Sequence, residues 1–351
     1  MVALQYILAV LGFSMIILVH EFGHFIFAKL SKMHVLEFFI GFGPKILKLK
    51  SKKTGTLYGI SAIPLGGYNK ILGMDRNEKI PPELKENVFF NKPYYKKLLV
   101  IIGGGVFNIL FAIMLIMVFL SLGIYAPTNI IDYIQPESPA EIYGFMQGDR
   151  VVDINGKTIE AWNDFSENVK PYPGAEVVFN VVRDGEIIEI RAVLENLEGQ
   201  GFLGVSPSFE KTRLSFFEII KESFKMFWEL TITYIKLFGK LFSGQIPFEQ
   251  ARPASPIGVI SIFQQSAAMG LQNFILFVAM VSILLAFGNF LPILPVDGGH
   301  IVIITIEAII RRPVPRKAVT IYNTIGMVII VSLLFVGLIF DIISPINIQK
   351  M

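Results

Sequence analysis

The 351-residue sequence contains no cysteine. Disulfide bonds, iron–sulfur clusters and thiol nucleophiles are therefore excluded, and a metal site must rest on histidine, aspartate or glutamate. Charge is scarce as well, because 17% of the residues are charged and 53% are hydrophobic, whereas about 25% of residues are charged in soluble domains. This composition predicts a membrane protein. The net charge of +3 is too small to favour nucleic acid as a partner.

The first long apolar run, from Val2 to Ala28, contains a polar pentapeptide. Its sequence is His20-Glu21-Phe22-Gly23-His24, an H-E-x-x-H pattern. On a helix the two imidazoles leave the same face and can bind one zinc ion, while the glutamate can act as general base on a water molecule. Ionisable groups at membrane depth are expensive and indicate a functional site. A buried, hydrogen-bonded histidine pair without a metal is the alternative.

Four stretches are apolar and long enough, at about 20 residues each, to span a bilayer. They are residues 3–28, 98–124, 273–296 and 318–341. Residues 29–97 carry 14 Lys/Arg against 5 Asp/Glu, whereas residues 124–210 carry 5 against 15. Positive segments stay in the cytoplasm. The pattern therefore predicts that 29–97 and the basic turn 309–317 lie inside, and that 124–210 and both termini lie outside.

A third metal ligand is predicted at the end of the third span. Asp297 is the only acidic residue between Glu249 and Glu307, and two glycines follow it. The predicted topology places it at a depth similar to that of the histidine pair. Two histidines and one aspartate would leave a fourth zinc position for water, which is typical of a catalytic site. A helix-end carboxylate facing water is the alternative.

Helix-breaking and amide residues near these ligands indicate contacts with a peptide. Pro292 and Pro295 break the third span, and opened backbone can form hydrogen bonds with an extended peptide. Asn289 is predicted either to place its amide against a developing oxyanion or to make an interhelical hydrogen bond. In span two, Gly103-Gly104-Gly105 favours close helix packing. Asn108 either shares in that packing or orients a peptide near the zinc.

The segment 29–97 is predicted to contain a β-hairpin. Two β-prone apolar arms, the second running from Leu57 into Gly66-Gly67-Tyr68, flank a basic tip that contains glycine. Such a hairpin can dip into the bilayer and pair with a substrate strand through its edge. A self-contained sheet on the cytoplasmic face of the membrane is equally compatible with the pattern.

Residues 125–210 form a predicted β-rich domain outside the membrane. The stretch from Gly148 to Gly156 reads G-D-x-V-x-x-I-N-G and resembles a PDZ domain, a class that binds peptide ends by strand addition. Residues 211–250 follow, and within them 213–243 show an amphipathic helical pattern. This helix is expected at the outer membrane surface, and packing into the core of the β-rich domain is the alternative.

Together these motifs resemble the site-2 protease family, and within it the regulator of sigma-E protease type. The resemblance covers nearly the whole chain and implies an intramembrane zinc protease of the bacterial inner membrane. The fold expected is a polytopic α-helical membrane protein of about four transmembrane helices, with a membrane-associated β-hairpin and one inserted PDZ domain. Its segments are 1–124, 125–210, 211–250 and 251–351. Substrates in this family are transmembrane proteins, such as anti-sigma factors already trimmed outside, and leftover signal peptides.

The resemblance also assigns roles to single residues. It implies His20, His24 and Asp297 as zinc ligands and Glu21 as general base. The substrate contacts that it implies, or that the residues themselves indicate, are Asn289, Pro292, Gly66, Gly67, Tyr68 and Asn108.

Three features depart from the family pattern. The chain has room for one PDZ domain rather than two, its second proline comes one place later at Pro295, and Gly105 stands where the family has proline. Two other functions fit parts of the sequence. One is a membrane scaffold that binds peptides through its PDZ domain and has an inactive metal site. The other is a metal-ion transporter, which gives no role to Glu21.

Overall fold

The structure is a computed structural model that describes residues 2–75, 78–246 and 253–346. The chain divides into a helical unit, Met1–Phe119 with Phe216–Met351, and a β-rich unit, Leu120–Ser215. The segment boundary expected at residues 250 and 251, and both chain ends, lie outside the described residues.

The elements follow one another in three groups. The first group is α1 (Val2–Leu30), β1 (Val35–Lys50), β2 (Leu57–Ile71), two short 3-10 helices (Pro82–Asn87 and Phe89–Asn91) and α2 (Tyr94–Ser121). The second is β3 (Ile124–Ile134), α3 (Pro139–Ile142), β4 (Arg150–Ile154), β5 (Lys157–Thr158), α4 (Trp162–Val169), β6 (Glu176–Arg183), β7 (Glu186–Val193), β8 (Glu195–Leu197), β9 (Gln200–Phe202) and β10 (Val205–Thr212). The third is α5 (Phe216–Phe242), α6 (Pro256–Ala268), α7 (Leu271–Asn289), α8 (Asp297–Ile310) and α9 (Arg316–Ile343).

Four of these helices, α1, α2, α7 and α9, are long and apolar enough to cross a membrane. They match the four predicted spans in order, but the predicted end of the third span at residue 296 is wrong. Helix α7 ends at Asn289, because Pro292 and Pro295 lack the N–H that would continue the helix. The chain re-enters a helix at Asp297. This helix, α8, was not predicted from the sequence, and neither was α6, which precedes α7.

Glycine allows α1 and α2 to pack closely at the level of the H-E-x-x-H turn. A Cβ added at Gly23 would lie 2.2 Å from the carbonyl oxygen of Gly103, so the two backbones touch there. Two residues after Gly103, a Cβ at Gly105 would lie 2.5 Å from the ring of Phe290. The close packing predicted from the three glycines is therefore present, and the aromatic ring fills the space beside the position where the family has proline.

The predicted hairpin is present as the antiparallel pair β1 and β2. Its register folds back on itself, because residues 37–40 lie opposite both 67–70 and 57–60, and residues 57–60 also lie opposite 47–50. The two long strands are thus bent into a compact sheet. Several large apolar side chains of this sheet are exposed: Ile40, Phe42, Ile46, Leu47, Leu49, Ile60 and Ile63.

The β-rich unit contains a sheet of strand order β10-β3-β4-β6-β7, with β5 paired to β4 and a separate β8–β9 hairpin. Alternate residues of β6, among them Val177, Phe179 and Val181, are fully buried in its core. This alternation is what one covered sheet face requires.

The amphipathic helix expected over 213–243 is present as α5. It belongs to the helical unit, and the core of the β-rich unit contains no residue of it in the described chain. The hydroxyl of Tyr234 on α5 donates a 3.2 Å hydrogen bond to the carbonyl of Met280 on α7. The alternative in which this helix completes the β-rich core is therefore wrong.

Candidate metal centre

Three ligand atoms converge between α1 and the start of α8. The Nε2 atoms of His20 and His24 lie 3.1 Å apart, and Asp297 Oδ2 lies 3.1 Å from the first and 3.3 Å from the second. Tetrahedral zinc, with Zn–N bonds of about 2.0–2.1 Å, separates its ligand atoms by roughly 3.3 Å. The triangle therefore has the size that one zinc ion requires.

Burial and hydrogen bonding orient the two imidazoles. His20 and His24 are 7% and 9% exposed. The Nδ1 atom of His24 lies 2.8 Å from the carbonyl oxygen of Val100 on α2. Because a carbonyl can only accept, Nδ1 donates to it, and Nε2 is the ring nitrogen that faces the other two ligand atoms, the orientation that metal-binding histidines usually have. His20 Nδ1 has no hydrogen-bond partner among the described residues.

The space for these imidazoles exists because α2 carries a glycine opposite them. A Cβ added at Gly104 would lie 2.5 Å from both His20 Cε1 and His24 Nε2. Any side chain there would push into the rings. Two imidazole nitrogens and a carboxylate, held in a tight cradle, are a donor set that suits zinc.

Glu21 lies beside the triangle rather than within it. A cavity of about 140 Å³ is lined by Glu21, His24, Asp297 and Asn69, among others. Asn69 on β2 donates a 3.1 Å hydrogen bond from Nδ2 to the Glu21 Oε2 atom. The carboxylate is therefore held at a small cavity next to the ligand atoms, where it can exchange a proton with water.

Two residues at this cavity were not predicted from the sequence, Asn69 and His300. Asn69 follows Gly66-Gly67-Tyr68 directly, and that position is its only signal. His300 lines the metal-site cavity and also a neighbouring cavity of about 280 Å³. It comes three residues after Asp297, and this spacing places both on one face of α8.

Strand β2 reaches the site by running along α1. The Ser14 hydroxyl donates a hydrogen bond to the carbonyl of Pro64. Gly66, at a φ of +84°, lies so close that an added Cβ would be 2.7 Å from a methyl carbon of Ile17. Ser14 and Ile17 precede His20 on α1, so β2 runs beside the part of α1 that leads to the metal ligands. The substrate contacts expected of Gly66 and Gly67 stay a prediction.

The hydroxyl of Tyr68 is engaged within the hairpin. It donates a 2.7 Å hydrogen bond to Glu37 Oε2, and the Tyr68 ring stacks on Phe39 with ring centroids 5.5 Å apart. The contact expected between Tyr68 and a substrate is thus left to its ring and backbone.

The other predicted contacts lie on α2 and around the end of α7. Asn108 is fully buried, and neither its side-chain nitrogen nor its oxygen has a partner in the described chain. Asn289 is half-buried and makes no side-chain hydrogen bond within residues that the structure describes. The Pro292 carbonyl accepts a 2.6 Å hydrogen bond from the Tyr322 hydroxyl on α9, so it is already paired.

Four apolar spans, a buried His-His-carboxylate triangle and a glutamate beside it define an integral membrane protein with a metallopeptidase-like centre. Comparison with known proteins gives the same class. Residues 8–333 match the family described as Peptidase family M50. The chain belongs to this family of zinc metalloproteases, which confirms the resemblance to the site-2 proteases.

Three bacterial relatives are similar over most of their length. A protein of Clostridium acetobutylicum is 32% identical over 97% of this chain and 98% of its own. One from Clostridium perfringens is 31% identical over 97% and 99%, and one from Fusobacterium nucleatum is 30% identical over 87% and 89%. Each is named as a candidate zinc metalloprotease.

Proposed function

We propose that this protein is an intramembrane protease that hydrolyses peptide bonds within the transmembrane helices of other membrane proteins. His20, His24 and Asp297 hold the zinc ion, and Glu21 is the general base. One observation carries the proposal: the three ligand atoms converge within 3.3 Å of one another, and His20, Glu21 and His24 lie on a helix apolar enough to span the membrane. Hydrolytic groups at that depth serve a substrate that is itself in the membrane.

Zinc, when bound, supplies a Lewis acid that activates water and polarises the peptide carbonyl. Glu21 takes the proton from the attacking water and passes it to the nitrogen of the leaving amine. One C–O bond forms and the C–N bond breaks, so no further reactant is needed. Asn289, whose amide is unpaired in the described chain, donates a hydrogen bond to the oxyanion.

The substrate has to leave its helical conformation before it can react, because helical carbonyls are already hydrogen-bonded. We assign this step to the edge of β2 at Gly66, Gly67 and Tyr68, which pairs with an extended peptide. Pro292 ends α7 beside the peptide, and the unpaired amide of Asn108 orients the peptide near the zinc.

The charge asymmetry supports the orientation in a bacterial inner membrane. Residues 29–97 and 309–317 lie in the cytoplasm, while the β-rich unit and both termini lie outside. The β-rich unit acts as a PDZ-like domain, and the site for peptide ends is a cavity of about 230 Å³ between α4 and residues 201–205. Anti-sigma factors and remnant signal peptides are the substrates that the family suggests.

The replacement Glu21→Gln tests the proposal. In purified protein reconstituted into liposomes with a model transmembrane substrate, it should retain zinc and lower the cleavage rate by about 10²–10⁴-fold. The exposed Glu198→Gln is the matched control and should cleave at the wild-type rate. Normal cleavage by Glu21→Gln would overturn the role of Glu21. Zinc binding without cleavage by the wild type would favour the scaffold, and zinc flux across the liposome membrane would favour the transporter.

A further inference from the structure

The contact between Asn69 and Glu21 joins the hairpin to the metal-site glutamate. Asn69 Nδ2 lies 3.1 Å from Glu21 Oε2 and 3.3 Å from the Glu21 main-chain carbonyl oxygen. One amide group of β2 therefore reaches both the side chain and the backbone of Glu21. Asn69 Oδ1 is buried and has no hydrogen-bond partner in the described residues.

We propose that Asn69 is a positioning residue that holds the Glu21 carboxylate in the orientation needed for proton transfer. The role rests on the proposed function, because it concerns the same reaction. Asn69 touches neither the metal-ligand atoms nor, in the proposed chemistry, the reacting bond, and it acts through Glu21. It also ties the orientation of the general base to the strand that receives the substrate.

Without the hydrogen bond from Asn69, the Glu21 carboxylate could adopt side-chain conformations that are not productive in proton transfer. Glu21 lies on α1, and its side chain has rotatable bonds that allow other orientations in the 140 Å³ cavity. A hydrogen bond to a charged acceptor contributes more than one between neutral groups. The donor comes from β2, which the Gly66 contact with Ile17 holds against α1. The carboxylate is therefore fixed from a second element, as precise catalytic geometry requires.

Three substitutions at this position separate the hydrogen bond from the shape of the side chain. Asn69→Leu removes the donor at similar size, and Asn69→Asp replaces it with a carboxylate that repels Glu21. Both should lower kcat by about 10–100-fold, the usual effect of losing the partner of a catalytic or ligand group. The KM should stay unchanged, because strand pairing uses the backbone. Asn69→Gln retains an amide donor and should recover part of kcat.

A double-mutant cycle with Glu21→Asp distinguishes positioning from a structural effect. The shorter carboxylate lies out of reach of Nδ2, so Asn69→Leu should reduce kcat less in the Glu21→Asp protein than in the wild type. A substitution that only weakens the hairpin would lower kcat by the same factor in the wild-type and Glu21→Asp proteins. Zinc content should be that of the wild type in every variant. The control Asn91→Leu removes an exposed amide that bonds to the Lys85 carbonyl, and it should leave kcat unchanged.

The outcomes are distinct. If the wild type cleaves and Asn69→Leu keeps the wild-type kcat, or if the cycle is additive, the positioning role is wrong while the protease function stands. If the wild type shows no zinc-dependent cleavage at all, the proposed function fails.

Discussion

At the scale of single residues, the geometry of the metal site depends on which side chains fit between α1 and α2. His20, His24 and Gly104 occupy one small volume, and the absence of a side chain on Gly104 leaves room there for the two imidazoles. The metal-site geometry therefore depends on a residue that offers no ligand atom. In the sequence, Gly104 was marked only by a run of three glycines. Such a run indicates close packing but does not identify the residues that pack against it.

Gly104→Ala should impair zinc binding, because the new Cβ would lie 2.5 Å from both imidazoles and would force the rings apart. A displaced ligand of this kind costs about 10–100-fold in metal affinity or activity. Zinc content of the purified protein after dialysis against a weak chelator measures it. Gly239→Ala on α5 has no atom within 4 Å of the added Cβ and is the control. Full zinc occupancy in Gly104→Ala would contradict the packing described here.

At the scale of elements, the β1–β2 hairpin contacts the metal site through Asn69. A cluster of polar side chains stabilises the fold of this hairpin. Glu37 Oε2 lies 2.6 Å from Lys45 Nζ and accepts the 2.7 Å hydrogen bond from Tyr68. Burial by itself raises the pKa of the Glu37 carboxyl, but the hydrogen bonds from Lys45 and Tyr68 outweigh it and lower this pKa below 4.5. The cluster thus favours the ionised carboxylate in the folded hairpin.

This cluster predicts a pH-dependent stability difference between the wild type and Glu37→Gln. Because the folded pKa of Glu37 is lower than the unfolded value of 4.5, the stabilisation is fully present above that pH and is lost as the pH falls through the folded pKa. The gap between the two thermal midpoints should therefore be largest near pH 7 and should close below pH 4.5. The exposed Glu83→Gln should show no such gap. A gap that persists at low pH would remove the ionised carboxylate as its cause.

At the scale of the whole molecule, the chain divides into two units whose surfaces suit different environments, lipid for the helical unit and water for the β-rich unit. The helical unit exposes a large set of apolar side chains on its spanning helices, whereas the β-rich unit buries a core of its own. The acidic balance of residues 124–210 and the basic balance of 29–97 agree with this division. An aqueous domain inserted between α2 and α5 fits a protein whose remainder is solvated by lipid.

The predicted orientation can be measured with single cysteines, since the chain has none of its own. Glu186→Cys on the β-rich unit should react with a membrane-impermeant maleimide in cells whose inner membrane is intact. Arg312→Cys in the basic turn should react only after that membrane is permeabilised. Both positions are exposed, so neither result is limited by burial. The opposite labelling pattern would reverse the topology.

The sequence alone determined the class, the four spans, the hairpin and the identity of the proposed metal ligands. Each has a signal of short range or of composition: an i, i+4 spacing, an apolar run, a turn between β-prone arms, or a carboxylate isolated in an apolar region. The tertiary structure decided that His20, His24 and Asp297 meet within 3.3 Å, that Gly104 leaves them room, and that Asn69 donates a hydrogen bond to Glu21. The contacts of Asp297, Gly104 and Asn69 with α1 join residues from 48 to 277 positions apart, and separation of that size leaves no periodic trace. They arise from helix packing and strand placement, which depend on all the neighbours at once.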